Sequence, residues 1–279
     1  MIQKSYDGSP SLYLIPTPIG NFEDITIRAL NVLRDVDLVL CEDTRDTGIL
    51  LKHFDISKRL LSCHEYNEKN MINKVINLLE KGNNIGLVTD QGTPIISDPG
   101  YILVRAVISA GFNVISLPGA TAFVTALTAS GVEPSPFLFY GFLNSKKSKQ
   151  ISELNSLKCI SNTIIFYESV HRLKDTLNNM ISVFGNRNVV VCRELSKIHE
   201  EYYRDTISNL IPLVDTMKGE FVIIVEGNHE VVDYNSIDVV DHIRLYLDDG
   251  LDEMTAIKMV AKDRNVAKSV IYNEYHKRK

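Results

Sequence analysis

Short aliphatic and β-branched runs recur along the chain at 12–15, 37–40, 85–89, 114–117, 137–140, 163–167, 189–192 and 221–225, and these read as strands. Between them the apolar spacing changes to three and four residues over 25–36, 68–79, 100–110, 121–130 and 172–184, which predicts helices. In the first helix Ile25, Ala29, Val32, Leu33 and Val36 share one face while Arg28 and Arg34 lie opposite, as expected of a helix lying on a sheet. Strand and helix signals alternate throughout, so the fold class is α/β.

Proline disfavours helical backbone in the residue before it, so Gly131-Val132-Glu133-Pro134-Ser135-Pro136 ends a helix and opens an extended stretch. Residues 1–134 and 135–228 therefore read as two α/β domains. Past Gly227 the charge pattern changes: 229–251 holds six acids and one base, whereas 255–279 holds seven Lys and Arg against two acids. Residues 229–279 read as a helical tail. Met254, Ile257, Val260 and Ala261 mark one helix and Val266, Val270 and Ile271 the next, with a break at Asp263-Arg264-Asn265 that outlines a helix-turn-helix.

Composition narrows the classes. With 279 residues, 44% hydrophobic and 23% charged, the chain can bury a sizeable core, and its net charge of −5 confines any nucleic-acid site to a local patch. Cys41, Cys63, Cys159 and Cys192 form no CxxC pair and read as small buried hydrophobes in a reducing compartment. His64-Glu65, His199-Glu200 and His229-Glu230 lack the HExxH spacing, so no metal is expected. The chain lacks both a basic start followed by an apolar run and a spanning apolar stretch, which points to a cytoplasmic protein with no membrane partner.

Neither GxxxxGK[ST] nor GxGxxG occurs, so a nucleotide would have to be held in another way. Three strand ends nevertheless carry Gly/Pro loops: Pro16-Thr17-Pro18-Ile19-Gly20-Asn21, Asp90-Gln91-Gly92-Thr93-Pro94 and Pro118-Gly119-Ala120-Thr121-Ala122. In an open α/β sheet such loops gather at the carboxyl edge, where ligands bind. Glycine admits close backbone approach, and Ala120 and Ala122 leave room for a flat adenine and a ribose. Asp90 suits a ribose, an amino group or a cationic centre and would repel a pyrophosphate. Any one of these loops alone also reads as an ordinary strand-to-helix turn.

The string Thr89-Asp90-Gln91-Gly92-Thr93-Pro94-Ile95-Ile96-Ser97-Asp98-Pro99-Gly100 resembles the signature loop of the tetrapyrrole methylase superfamily, the class III S-adenosylmethionine methyltransferases. Further strings are similar to its ribosomal-RNA-modifying members: Pro16 to Asn21, Glu42-Asp43-Thr44-Arg45, Phe166-Tyr167-Glu168-Ser169-Val170-His171-Arg172, Cys192-Arg193-Glu194-Leu195-Ser196-Lys197 and Lys218-Gly219-Glu220-Phe221. Gln91 stands where the family commonly has Ala, and Val170 where it commonly has Pro. The resemblance implies two α/β domains with a cofactor cleft between them. It also implies a metal-free homodimer that uses S-adenosylmethionine to methylate the 2′-hydroxyl of cytidine 1402 of 16S ribosomal RNA, in the 30S subunit. Pro18, Asp90, Gly92, Thr93, Pro118, Gly119, Ala120, Thr121, Ala122, Tyr167, Gly219 and Glu220 would hold the cofactor.

A ribose hydroxyl is a poor nucleophile, so such a transfer needs a base for its proton or a cation for the developing alkoxide. Glu168, His171 and Arg172, with Arg193, Glu194 and Lys197, are the candidates: Glu194 as base or orienter, and Lys197, Arg193 and Arg172 as holders of negative charge. The same strings also read as structural ion pairs, Glu168 with Arg172 and Arg193 with Glu194. Thr44 reads as a helix N-cap. For RNA the candidates are Arg45, then Lys146, Lys147 and Lys149 in an expected polar loop over 144–150, then Lys262, Arg264 and Lys268 in a tail basic as far as Lys279. The cofactor loops by themselves equally fit a tetrapyrrole C-methyltransferase, or a non-catalytic module that binds the cofactor and docks on RNA.

Overall fold

The computed structural model describes residues 3–5, 7–214, 217–229, 234 and 237–278, so Glu230 and Lys279 of the sequence reading lie outside the described residues. The chain divides into two compact units, Met1–Asn228 and His229–Lys279.

The first unit holds two sheets. Strands β1 (Ser11–Leu14), β2 (Leu38–Cys41), β3 (Arg59–Ser62), β4 (Ile85–Leu87) and β5 (Asn113–Ser116) form one, in the order β3-β2-β4-β1-β5. All its pairings are parallel. Such a sheet is buried on both faces, and the strands sort their residues accordingly. Leu12, Leu14, Leu38, Leu40, Ile85 and Leu87 pack on one side under Val75 and Leu79 of α3 (Glu68–Glu80) and Leu103 and Val107 of α4 (Tyr101–Ser109). Ile15, Val39, Cys41, Ile115 and Leu117 pack on the other under Ala29 and Leu33 of α1 (Ile27–Asp35) and Leu51 of α2 (Thr44–His53).

The second sheet joins β6 (Phe137–Phe142), β7 (Thr163–Ser169), β8 (Asn188–Arg193), β9 (Glu201–Thr206) and β10 (Glu220–Val225) in the order β6-β7-β10-β8-β9. Only β6 and β7 pair in parallel. One face carries Leu154 and Leu157 of α6 (Lys147–Leu157) and Leu177 and Met180 of α7 (Leu173–Phe184). The other face, with Ile165, Val190, Cys192, Val222 and Ile224, receives Ala126 and Leu127 of α5 (Ala122–Ser130), the helix that follows β5 of the first sheet. A single helix turn, α8 (Ile207–Leu210), follows β9.

Several expectations are corrected. Strands β3 and β9 have no counterpart in the sequence reading: they are sheet edges whose residues stay partly exposed, so they lack an apolar run. The cap of α2 is Asp43, whose carboxylate accepts from Arg45 N at 2.7 Å; Thr44 is already the first helical residue. The polar loop expected over 144–150 ends at Lys146, because Gln150, Leu154 and Leu157 share a buried face and draw Lys147 and Lys149 into the first turn of α6. Cys159 is exposed, unlike the other three cysteines.

The second unit is a helical bundle of α9 (Val239–Asp248), α10 (Glu253–Asp263) and α11 (Lys268–Arg278), closed over Ile243, Ile257, Val260 and Ile271. The break falls after Asp263, and Asn265 takes a left-handed φ of 52°. Arg264 is committed inside this unit: it donates to His242 Nδ1 at 3.2 Å and to the Ile237 carbonyl at 2.5 Å. His242 is fully buried and stacked on Tyr234, and burial, with Arg264 beside it, holds it below the usual imidazole range. Lys262 and Lys268 remain exposed.

A buried polar chain fixes the carboxyl end of β7. Glu168, with its side chain 1% exposed, accepts from Ser169 N at 2.8 Å and Thr176 Oγ1 at 2.7 Å and pairs with Arg172 at 3.3 Å. Gln150 donates to Thr176 Oγ1 at 3.0 Å and accepts from Asn179. Arg172 in turn donates to the carbonyls of Leu143 and Asn144. A buried carboxylate stripped of one donor pays a desolvation cost, so Thr176→Val should lower stability by about 1–3 kcal/mol, measured by urea unfolding with an unchanged slope.

Candidate functional site

Because the first sheet is parallel, the loops that follow β1, β2, β4 and β5 emerge on one edge. They are bonded to one another. Thr17 N donates to the Gly92 carbonyl at 2.9 Å and Gly92 N to the Thr17 carbonyl at 3.1 Å. Thr17 Oγ1 donates to the Thr89 carbonyl at 3.1 Å, and Thr93 Oγ1 lies 2.7 Å from Thr121 Oγ1. A Cβ at Gly119 would overlap the Pro16 ring, so only glycine lets the third loop close on the first.

The second sheet turns its own edge to these loops. Antiparallel pairing of β10 sets Glu220 beside Ser169 and Phe221 beside Arg193, so the ends of β7 and β8 meet the start of β10. Between the two edges lies a cleft of about 510 Å³. Asp90, Gly92, Thr93, Thr121, Ala122, Tyr167, Glu168 and Glu220, all singled out in the sequence, line it. Pro18 lines an adjoining cavity, and Gly119 and Ala120 a groove beyond Ile19. Pro118 and Gly219 line none of these three spaces.

The sequence reading missed Glu42, Asp46 and Asp98 as lining residues. For Glu42 and Asp46 the signal was available in the parallel order, because β2 lies beside β4 and any carboxylate at its carboxyl end faces the Asp90 loop. Among the described residues six carboxylates line the cleft (Glu42, Asp46, Asp90, Asp98, Glu168, Glu220) and no Lys, Arg or His does. Burial, with Glu42 and Asp90 nearby, pushes Asp98 up to about 6. Burial and the neighbouring acids likewise raise Asp90 and Glu42. Burial pushes the Tyr167 phenol up to about 12, and its oxygen accepts from Phe123 N in the first turn of α5 at 3.2 Å.

At one rim Lys197 Nζ lies 3.1 Å from Glu194 Oε1 and 2.9 Å from Glu220 Oε2. Glu194 Oε1 also accepts from Glu220 N at 3.0 Å, and a Cβ at Gly219 would overlap that carboxylate. Burial alone would raise Glu194, but the donors from Glu220 N and Lys197 outweigh it and hold the carboxyl below its usual range. Lys197 is correspondingly held above the usual ammonium range, its two carboxylates outweighing its burial. Arg193 does not pair with Glu194 as the ion-pair reading had it; its guanidinium reaches Glu201 and the Lys218 carbonyl, each at 2.6 Å. The Glu168–Arg172 pair is present, while His171 is exposed and, like Arg172 and Arg193, is not a cleft-lining residue. Arg45 is clamped on Asp43 at 2.5 Å.

Among the described residues no group of three His, Cys, Asp or Glu is arranged to hold a metal ion. Residues 11–211 match the family of Tetrapyrrole (Corrin/Porphyrin) Methylases. The chain is 47% identical over 284 residues to the ribosomal RNA small subunit methyltransferase I of Halalkalibacterium halodurans, covering 98% of each. It is 41% identical over 275 residues to the protein of that name in Escherichia coli O157:H7, covering 97% of this chain and 96% of the other. Among solved structures, the uroporphyrin-III-C-methyltransferase of Thermus thermophilus aligns over 77% of this chain and 94% of its own, with a TM-score of 0.57 at 18% identity. A diphthine synthase aligns over 77% and 90%, with a TM-score of 0.58 at 13% identity, and both likenesses speak to the fold. On the family match from β1 through β9 and on relatives alike over nearly their whole length, the chain belongs to the tetrapyrrole methylases, in the branch of the ribosomal RNA small subunit methyltransferases I.

Proposed function

We propose that this methyltransferase carries the methyl group of S-adenosylmethionine to the 2′-hydroxyl of cytidine 1402 of 16S ribosomal RNA in the 30S subunit, acting as a cytoplasmic homodimer. Among the described residues no helix is long and apolar enough to cross a membrane. The observation that carries the reading is the cleft, lined among the described residues by six carboxylates and by no basic side chain. Such a lining repels phosphate and draws in a cation, so the donor set fits a sulfonium nucleoside. Relatives named for small-subunit ribosomal RNA, at 41% identity or more over nearly the whole chain, support RNA over a tetrapyrrole.

When bound, the cofactor supplies an electrophilic methyl group, and what remains for the chain is position and charge. Asp90, Gly92 and Thr93 would hold it from the first sheet, with Thr121 and Ala122 at the start of α5 and Tyr167 and Glu220 from the second. Lys197 stays an ammonium between its two carboxylates and stabilises the alkoxide that forms as the ribose hydroxyl loses its proton. Glu194, already accepting two hydrogen bonds on one oxygen, orients Lys197 and is a poor proton acceptor. Asp90, raised by burial, is the better one. Arg172 and Arg193 act through the backbone carbonyls and carboxylates they hold. Lys146, Lys147, Lys149, Lys262 and Lys268 are exposed and suited to phosphate.

Transfer of labelled methyl to purified 30S subunits, with the product mapped to cytidine 1402, tests the assignment; methylation of a porphyrinogen instead would overturn it. In this assay Lys197→Met should lower kcat by about 10²- to 10³-fold with cofactor affinity unchanged, and Glu194→Gln by less, since an amide oxygen still accepts from Lys197.

Asp98 is ionised only above about pH 6. The affinity for S-adenosylmethionine should therefore fall as pH drops through that value, more steeply than the affinity for the uncharged-sulfur product, and Asp98→Asn should flatten the difference. Calorimetry at several pH values measures this.

Replacing Lys262 and Lys268 together by Ala should weaken binding to 30S subunits and reduce the slope of log K against log salt by about 2. Filter binding at graded salt reads that slope.

A further inference from the structure

A second cavity, of about 330 Å³, adjoins the cofactor cleft and shares Asp46, Asp90 and Gln91 with it. Its size sits at the lower end for small-molecule sites, the scale of a single nucleoside. Phe22 and Ile49 line its sides. Phe22 is braced by His53 at 4.5 Å and Phe54 at 6.2 Å between ring centroids, yet stays 38% exposed, and Ile49 is 61% exposed. Both are large apolar surfaces on the wall of a cavity, and the two neighbouring rings hold Phe22 in place. Gly20 completes the lining, and a Cβ there would overlap the Lys197 stem, so this cavity also borders the Lys197 rim.

The polar groups are as selective as the shape. Asp46 sits in the first turn of α2, and the neighbouring guanidinium of Arg45 is occupied by Asp43. Asp90 accepts from Asp43 N through one oxygen at 3.2 Å, which leaves its second oxygen for a ligand. Two carboxylates exclude a phosphate from this space, so a nucleic acid can enter it only base first. They accept hydrogen bonds, which an exocyclic amine gives and a carbonyl oxygen cannot. An exposed aromatic ring supplies the stacking surface that an unstacked base seeks.

We infer that this cavity is the socket for the base of the nucleotide being methylated, taken out of its stack, and that it selects a base with an exocyclic amine. Phe22 stacks on the base, Asp46 accepts from the amine, and the ribose is left at the shared boundary with the cofactor cleft, between Asp90 and Lys197. Uracil, which presents an oxygen where cytosine presents its amine, meets the Asp46 carboxylate and is rejected. This reading rests on the proposed RNA substrate and adds to it a site and a basis for base choice.

The test uses the full-length protein and 30S subunits reconstituted with cytidine or uridine at the target position. Ile49→Trp fills the socket from a position that does not itself line the cofactor cleft. It should lower kcat/KM on cytidine subunits at least tenfold while calorimetry finds the affinity for S-adenosylmethionine unchanged. Asp46→Ala should reduce the preference for cytidine over uridine by about tenfold or more. Phe22→Ala should raise KM with little change in kcat. If Ile49→Trp retains cofactor binding and methylates as the unmodified protein does, or if Asp46→Ala keeps the full preference for cytidine, the socket is wrong. If the unmodified protein leaves 30S subunits unmethylated, the RNA reading itself fails, a result distinct from either of these.

Discussion

The site depends on one shared helix. Helix α5 starts from a loop on the carboxyl edge of the parallel sheet, yet Ala126 and Leu127 bury against the face of the mixed sheet. Its small residues let the helix lie close to that face, and its ends are tied there as well: Phe123 N donates to the Tyr167 hydroxyl, and Arg204 donates to the carbonyls of Ala129 and Ser130. A helix end leaves backbone groups without partners, and here residues of the second sheet supply them at both ends. The two edges that bound the cleft are thus held by the packing and end-capping of α5, and a further bond from Ser196 Oγ to the Asp24 carboxylate ties the loop after β8 to the loop after β1.

Charge is partitioned by the same arrangement. Carboxylates from four different loops and strand ends meet in one partly desolvated space, while Arg172 and Lys197, the cations paired with Glu168 and Glu220, stay outside its lining. Mutual repulsion in that space is a standing cost to the folded state, and a bound cation relieves it. Neutral or anionic ligands gain nothing comparable, so selectivity for a positive ligand follows from the cost itself.

Much of this was legible in the chain. The parallel core could be read because strands buried on both faces are continuous apolar runs, and the three glycine loops because their spacing after 12–15, 85–89 and 114–117 put them on one edge. Edge strands β3 and β9 could not, since an edge needs no apolar run; Glu201–Thr206 is mostly polar and is a strand only because β8 pairs with it. Individual side-chain partners were the least legible part. Arg193 could have met Glu194 or any later carboxylate, and only the β8–β9 register places Glu201 opposite it. The role of Asp98 depends on burial, which local sequence does not encode.

The two loops flanking the cleft share an oddity. Ile95 and Ser97 on one, and Glu194 and Ser196 on the other, take left-handed φ values between 51° and 78°, a region that side-chain-bearing residues occupy only at a cost, and a β-branched isoleucine most of all. These loops are therefore where the molecule is most easily improved as an inert solid and most easily ruined as a catalyst. A laboratory selection for heat tolerance alone would be drawn to glycine or asparagine at these four positions and would erode the shape of the site as it hardened the protein.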